Sequence, residues 1–186
     1  MKKYLTFALL SIIIAPAHAL TPYLSAGVTS GIQSNGKHAS TGYSNLWSIT
    51  GGVQYALTRN ISMRNGVEYA MSDYTFKNSA GGIDYEYDTQ VKMYMGNIVA
   101  DFHPTGFRSS IYAGISAGVT NYATELKKPH TDPKTEHSTF TYGAMAGISL
   151  NLIGNLYGDL GVRYLTTADA GNNGNLITTA NLHMGF

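Results

Sequence analysis

Five charged residues lie within segments that otherwise contain mainly apolar, small and hydroxylated side chains: Arg64, Glu68, Lys92, Asp159 and Arg163. A charge that is removed from water is very costly unless an opposite charge pairs with it. The set contains both signs, so we predict a network of buried ion pairs with His183 near one end of it. The alternative is a gate whose ion pairs rearrange and let water or small ions pass.

Two short stretches bring a histidine close to a serine, the combination in which an imidazole activates a hydroxyl for nucleophilic attack. They are His38 with Ser40, and His137 with Ser138. Glu136 precedes His137, whereas no acidic residue near His38 is available to orient its imidazole. Both stretches are expected in polar connections or at a strand tip, where a solvated histidine is the better interpretation. We therefore predict that the protein is not an enzyme.

Composition excludes several other kinds of site. The 186-residue chain has no cysteine, which removes disulfide frameworks and thiolate metal sites. A formal net charge of +1 gives no indication of nucleic-acid binding. One polar stretch offers four metal donors without a compact spacing: His130, Asp132, Glu136 and His137. We expect no cofactor, no metal and no nucleic-acid partner.

The segments that must position the charged residues alternate between two faces with a period of two, which is typical of β-strands. Eight such segments are predicted, at about 23–32, 45–57, 61–74, 87–102, 109–123, 139–152, 156–167 and 175–186. Each is long enough to cross a bilayer as a tilted strand. Short turns alternate with longer polar connections along the chain, as in bacterial outer-membrane barrels.

One face of these strands carries glycine, hydroxylated and charged residues, and the other face is apolar. A soluble barrel has its apolar face inside and its polar face toward water. The face that carries glycine, hydroxylated and charged residues here would make a poor hydrophobic core, so it suits a polar lumen better. The sequence therefore predicts an all-β protein, an eight-stranded antiparallel up-and-down transmembrane β-barrel with a polar lumen. Aromatic residues at both rims are predicted to form girdles at the membrane interfaces: Trp47, Tyr55, Tyr69, Phe140, Tyr142 and Tyr164.

The third and seventh strands face each other across an eight-stranded ring, so long side chains can pair through the lumen. We expect Arg64, Asp159 and His183 at one height, with Glu68, Arg163 and Lys92 higher.

The fourth strand fits the alternation least well. If Val91, Met93 and Met95 face outward and Lys92 inward, a one-residue bulge near Gly96 is needed. Such a bulge would turn the outward face to Ile98, Ala100 and Phe102.

Residues 1–19 have the layout of a secretory signal peptide. Lys2 and Lys3 precede a short apolar run, and Ala17-His18-Ala19 supplies small residues around a cleavage point. We expect cleavage after Ala19, which leaves one domain at 20–186.

Four stretches of the mature chain carry a resemblance to a known family: PYLSAGV after Thr21, RNGVEY at 64–69, NIVADFHP at 97–104 and the final LHMGF. They resemble the opacity-type, OmpA-like family of outer-membrane β-barrels, in the barrel domain only. The resemblance implies a porin-like protein of the Gram-negative outer membrane that contacts lipid and lipopolysaccharide. It also implies that Phe186 and the alternate apolar residues before it are read by the barrel-assembly machinery.

Some members of this family act as adhesins. The resemblance therefore implies an alternative function, surface adhesion through the long connections at 73–86 and 124–138. No motif in them names a host or surface ligand. A structural barrel whose loops meet only lipopolysaccharide and solvent is the other interpretation. A lipid A deacylase, which some small outer-membrane barrels are, is the less favoured one.

Overall fold

The computed structural model describes residues 20–32, 45–80, 83–128, 134–168 and 174–186. They form eight strands: β1 Thr21–Ile32, β2 Asn45–Ala56, β3 Ile61–Ala80, β4 Ile83–Phe102, β5 Ser110–Lys128, β6 Thr135–Ile153, β7 Leu156–Thr167 and β8 Gly174–Gly185. Each strand pairs antiparallel with its neighbours in sequence, and β1 pairs with β8 to close a barrel. The predicted fold class is confirmed. Among the described residues, no helix is long and apolar enough to cross a membrane.

The barrel has one low side and one high side. Strands β1, β2, β7 and β8 have 12 residues each, whereas β3 and β4 have 20 and β5 and β6 have 19. At about 3.3 Å per residue and a tilt near 40°, the short strands rise about 30 Å and the long ones about 50 Å. All eight strands meet at the end that carries the tight turns, here named the short-turn end. We call the part of β3–β6 that rises above the other strands the tall wall.

The tall wall corrects the predicted connections. Residues 73–86 were expected to be a loop, but the β3–β4 ladder continues to the pair Ala80 and Ile83. The connection predicted at 124–138 is likewise shorter in the structure, because β5 reaches Lys128 and β6 begins at Thr135. The outward face becomes polar above the apolar band, but aromatic residues such as Tyr74, Tyr85 and Tyr87 still alternate with polar ones, and the backbone hydrogen bonds continue.

The tight turn between β6 and β7 depends on one glycine. Gly154 has a φ of +55°, in the left-handed region where a Cβ is disfavoured. The side-chain amide of Asn151 donates a hydrogen bond of 2.8 Å to the carbonyl oxygen of Gly154. This turn brings β7 back beside β6 at the short-turn end.

The bulge predicted near Gly96 is wrong. The β3–β4 register is continuous, and the β4–β5 register shifts only between Glu86 and Tyr87. Val91, Met93 and Met95 therefore lie buried inside, and Lys92 lies on the outer face. Alternation without a bulge sends Asn97 and Asp101 inward, where both find polar partners.

The outer face carries the large exposed apolar side chains. Of the predicted girdle, four rings are well exposed: Trp47, Phe140, Tyr142 and Tyr164. Tyr69 is half-buried and packs against Tyr94, with ring centroids 5.2 Å apart. Tyr55 is 7% exposed, and its hydroxyl accepts a 3.4 Å hydrogen bond from the Asn65 side chain. Tyr55 and Asn65 both occupy outward register positions, so the tyrosine contacts a polar neighbour on the next strand.

Candidate functional site

Arg64 is the centre of a buried ion cluster near the short-turn end. Its Nε and Nη2 donate to the two carboxylate oxygens of Asp101 at 2.8 and 2.7 Å. Its Nη1 donates to Oδ2 of Asp159 at 2.7 Å. The guanidinium, on β3, therefore holds one carboxylate from the neighbouring strand β4 and another from β7 across the lumen. We call Arg64, Asp101, Asp159 and His183 the lower cluster.

His183 completes the lower cluster from β8. Its Nδ1 lies 2.9 Å from Oδ2 of Asp159, and because an ionised carboxylate only accepts hydrogen bonds, that nitrogen is the donor. Tyr157 stacks on the imidazole with ring centroids 4.8 Å apart. The cluster joins one guanidinium to two carboxylates, and the histidine ring adds a second donor to the carboxylate of Asp159.

The upper cluster is formed by Glu68, Asn97 and Arg163. Nη1 of Arg163 lies 2.9 Å from both carboxylate oxygens of Glu68. The Asn97 amide donates to Oε2 of Glu68 at 2.7 Å and accepts from Nη2 of Arg163 at 3.0 Å. The three side chains are 5–6% exposed, and each makes a charge-assisted hydrogen bond.

The two clusters follow from complementary spacing on two strands that run in the same direction. On β3 an arginine precedes a glutamate by four residues, and on β7 an aspartate precedes an arginine by four. Four residues is an even number, so both charges of a strand share its inner face. Opposite signs therefore meet at both heights when β3 and β7 face each other.

Tyr112 fills the lumen beside the lower cluster. Its ring lies under the Arg64 guanidinium, 5.4 Å from the guanidinium carbon to the ring centroid. A Cβ at Gly161 would overlap the Tyr112 hydroxyl, and one at Gly147 would overlap the ring. These glycines on β6 and β7 leave the space in which the tyrosine lies.

Above the clusters one side of the lumen is apolar, whereas β5 and β6 contribute buried threonines such as Thr120 and Thr141, whose hydroxyls lie 2.7 Å apart. A buried group from β3, β4 and β7 consists of Ala70, Val91, Met93, Met95 and Leu165. Four half-buried residues pack against it: Leu46, Tyr74, Tyr122 and Ile177. We call the buried group the apolar layer. It occupies the side of the lumen away from the short-turn end.

Two cavities lie along the axis. One of about 300 Å³ opens at the short-turn end, and Arg64, Asp101, His103 and His183 are among its lining residues. A smaller one of about 70 Å³ lies between the clusters, bordered by Glu68, Asp159 and Arg163. Arg64 borders both cavities.

Of the five charged residues predicted inside, the structure brings four together: Arg64, Glu68, Asp159 and Arg163. Lys92 was predicted wrongly, because the unbroken register of β4 places it on the outer face. Asp101 and Asn97 were missed for the same reason. Strict alternation backward from outward-facing Phe102 would have found both.

The histidine–serine candidates do not form a catalytic pair in the described residues. His137 and Ser138 are adjacent on β6 and so point to opposite faces, while His38 and Ser40 lie outside the described residues. A pair that the sequence analysis missed is Ser62 with His103, whose Oγ and Nε2 lie 2.9 Å apart at the short-turn end. Within the described ranges no carboxylate bonds its other ring nitrogen, as a catalytic triad requires.

The metal donors considered in the sequence are separated as well. His130 and Asp132 lie outside the described residues, and Glu136 and His137 point to opposite faces of β6. In the part of the chain that the structure covers, no three His, Asp or Glu side chains are grouped to hold a metal ion.

Comparison with known proteins gives one family and several similar folds. The profile of the outer membrane protein β-barrel domain matches residues 5–186. The attachment invasion locus protein Ail of Yersinia pestis has 14% identity and a TM-score of 0.52, covering 89% of this chain and 95% of Ail. Neisserial surface protein A has 15% identity and a TM-score of 0.51, covering 90% and 96%. A major outer membrane protein of Thermus thermophilus has 14% identity and a TM-score of 0.51, covering 91% and 100%. No protein of curated function gives a significant match.

Proposed function

Because the chain belongs to the outer-membrane β-barrel family, we propose that it is a porin-like structural barrel whose lumen is plugged by ion pairs and which catalyses no reaction. The outer membrane is its location, so the short-turn end faces the periplasm and the tall wall faces outward. The observation that carries the proposal is the pairing of Arg64 with Asp159 and of Arg163 with Glu68 across the lumen.

These ion pairs connect opposite walls of the barrel. Each joins β3 to β7, which do not neighbour each other in the barrel. Opening a path between them would leave desolvated charges without partners, and this is strongly unfavourable. The pairs therefore both stiffen the barrel and occupy the space through which solutes would pass.

The apolar layer provides a second closure. Met95 and Ala70 are each 1% exposed, so the layer is packed at its centre. Apolar side chains in the lumen disfavour the entry of water and ions, whereas the clusters below oppose them by occupying the lumen. The two closures in series favour a barrel that does not conduct at rest.

Planar-bilayer recordings of the purified full-length chain test this proposal. The wild type is expected to be silent, and so is Met95→Ala, because the ion pairs remain. Steady conductance in the wild type would contradict the plug. Heat-modifiable gel mobility checks that each variant is folded.

A gate is the second interpretation of the same clusters. Arg163 binds Glu68 and Asn97 together, so one guanidinium already has two acceptors between which to shift. The gate predicts brief openings in Glu68→Ala. Silence in both the wild type and this variant would exclude it.

Adhesion is the alternative that the tall wall favours. The described parts of the segments 73–86 and 124–138 are paired strands that rise above the lipid, with charged side chains at Lys77, Lys127 and Glu136. Rigid display of variable residues is typical of binding surfaces. A pull-down from host-cell or matrix extract tests it, and unchanged binding after both segments are exchanged for those of another barrel would remove the adhesin interpretation.

Export and assembly rest on the two ends of the sequence. We propose cleavage after Ala19 and recognition of the C-terminal strand, including Phe186, by the barrel-assembly machinery. Phe186 is exposed and its backbone N–H donates to the carbonyl oxygen of Pro22 at 2.9 Å. Phe186→Ala is expected to slow assembly in cells and leave the folded barrel intact once assembled, measured by pulse-labelling and gel mobility.

A lipid A deacylase is the least supported function. His137 and Ser138, its remaining candidates in the described chain, diverge from one another on β6. Incubation with lipopolysaccharide followed by mass spectrometry tests it directly. Release of an acyl chain would overturn the non-enzymatic proposal.

A further inference from the structure

The outer face of β4 changes from apolar to polar at one residue. Upward from the short-turn end, its outward positions are Phe102, Ala100, Ile98, Gly96 and Tyr94, followed by Lys92, Gln90, Asp88 and Glu86. Ten residues separate Phe102 from Lys92, which corresponds to a rise of about 25 Å for a strand tilted near 40°. This is about the height of the apolar band of an outer-membrane barrel. Lys92 therefore lies at the boundary between the hydrocarbon and the outer-leaflet headgroups.

The neighbouring long strands change at corresponding positions. On β3 the last apolar outward residue is Met71, and Asp73 follows it. On β5 the outward residue after Val119 is Asn121. On β6 the change falls between Phe140 and Ser138. Lys92 is thus the single cation among the first polar residues of these four strands.

Lys92 also differs from the other lysines whose side chains the structure describes. Lys77 lies 3.6 Å from Glu86, Lys127 lies 2.9 Å from Glu125, and Lys134 lies 3.9 Å from Glu136. The hydrogen bond to Glu125 raises the pKa of Lys127. Within the described ranges no carboxylate lies at ion-pair distance from Lys92, which is half-buried along the barrel wall.

We propose that Lys92 binds a phosphate group of an outer-leaflet lipid, the phosphorylated glucosamine headgroup of lipid A. A lysine at the headgroup level lays its aliphatic stem on the apolar wall and extends its ammonium toward the lipid phosphates. The proposal rests on membrane placement and is independent of the plug, which concerns the opposite face of the sheet. Asp73 stands diagonally above Lys92 on β3, so its carboxylate opposes an approaching phosphate.

Native mass spectrometry of the full-length chain in detergent, titrated with diphosphoryl lipid A, tests this site. Lys92→Gln is expected to weaken binding about fivefold, the effect of one basic residue near an anionic surface. Lys92→Arg keeps the charge and is expected to stay within about twofold of the wild type. Asp73→Asn is expected to tighten binding, because it removes the opposing charge.

Two controls make the result specific. Lys77→Gln removes a lysine from the same outer face that is paired with Glu86, and lipid A binding is expected to be unchanged. Lipid A from which both phosphates have been removed is expected to bind the wild type and Lys92→Gln equally. Equal binding of diphosphoryl lipid A by these two proteins would overturn the proposal, and so would an equal loss with the phosphate-free lipid. Silence or conductance in the bilayer experiment bears on neither outcome.

Discussion

Toward the short-turn end of the lumen, Arg64 and Arg163 hold carboxylates from opposite walls, whereas from the level of Glu68 upward Met95 and its apolar neighbours pack against one side of the barrel. The interactions in these two regions differ in kind. An ion pair is directional, and loss of one partner leaves a buried charge. An apolar contact has no such partner, so its loss is graded with the volume removed. The two regions should therefore respond differently to substitution.

The largest effect is expected from removing the guanidinium of the lower cluster. Arg64→Met leaves Asp101 and Asp159 close together without a cation, which should cost about 3–5 kcal/mol of unfolding free energy or prevent folding. Urea unfolding in lipid vesicles, followed by gel mobility, measures the loss. The triple variant with Asp101→Asn and Asp159→Asn removes the stranded charges and should recover much of the stability. If stability did not recover, packing and not charge pairing would be what stabilises the region of the lower cluster.

A smaller effect is expected in the apolar layer. Met95→Ala removes a side chain that is 1% exposed and should cost about 2–4 kcal/mol through the cavity it leaves. Met95→Leu preserves most of the volume and should cost under about 1.5 kcal/mol. The same urea titration compares them. Equal losses in both variants would contradict a contribution that follows volume.

The smallest effect is expected where one carboxylate is removed but the arginine that it binds keeps a second ion pair. Asp159→Asn leaves Arg64 paired with both oxygens of Asp101 and keeps the shape of the side chain. The expected loss is about 1.5–3 kcal/mol, that of a charged hydrogen bond. A loss as large as that of Arg64→Met would show that the lower cluster acts as one inseparable unit.

The apolar layer also explains where the sequence interpretation of β4 failed. Val91, Met93 and Met95 alternate regularly, and an apolar face in a predicted membrane strand was assigned to lipid. In β4 the inner face is apolar above and polar below, so alternation alone gives the spacing but not the side. Asn97 and Asp101 carried the deciding information, because on the lipid face they would have had no partners.

The same limit applies to residues 73–86. The outward face becomes polar once the strands leave the lipid, and the alternation of aromatic and polar residues is interrupted by the polar and glycine-containing stretch at 77–82, so the sequence alone does not reveal the pairing. The continuous register from Ile61 with Phe102 to Ala80 with Ile83 is a property of two chain segments held together.

By itself the sequence determined the number of strands, the closed antiparallel barrel and the facing charges of β3 and β7, because these depend on period-two alternation and on spacing within a strand. Only the tertiary structure decided which face of β4 is inside, which carboxylates Arg64 binds and how far β3–β6 rise. These depend on contacts between strands distant in sequence. The physical reason is that a β-strand specifies two faces locally, and only its neighbours specify which of them is buried.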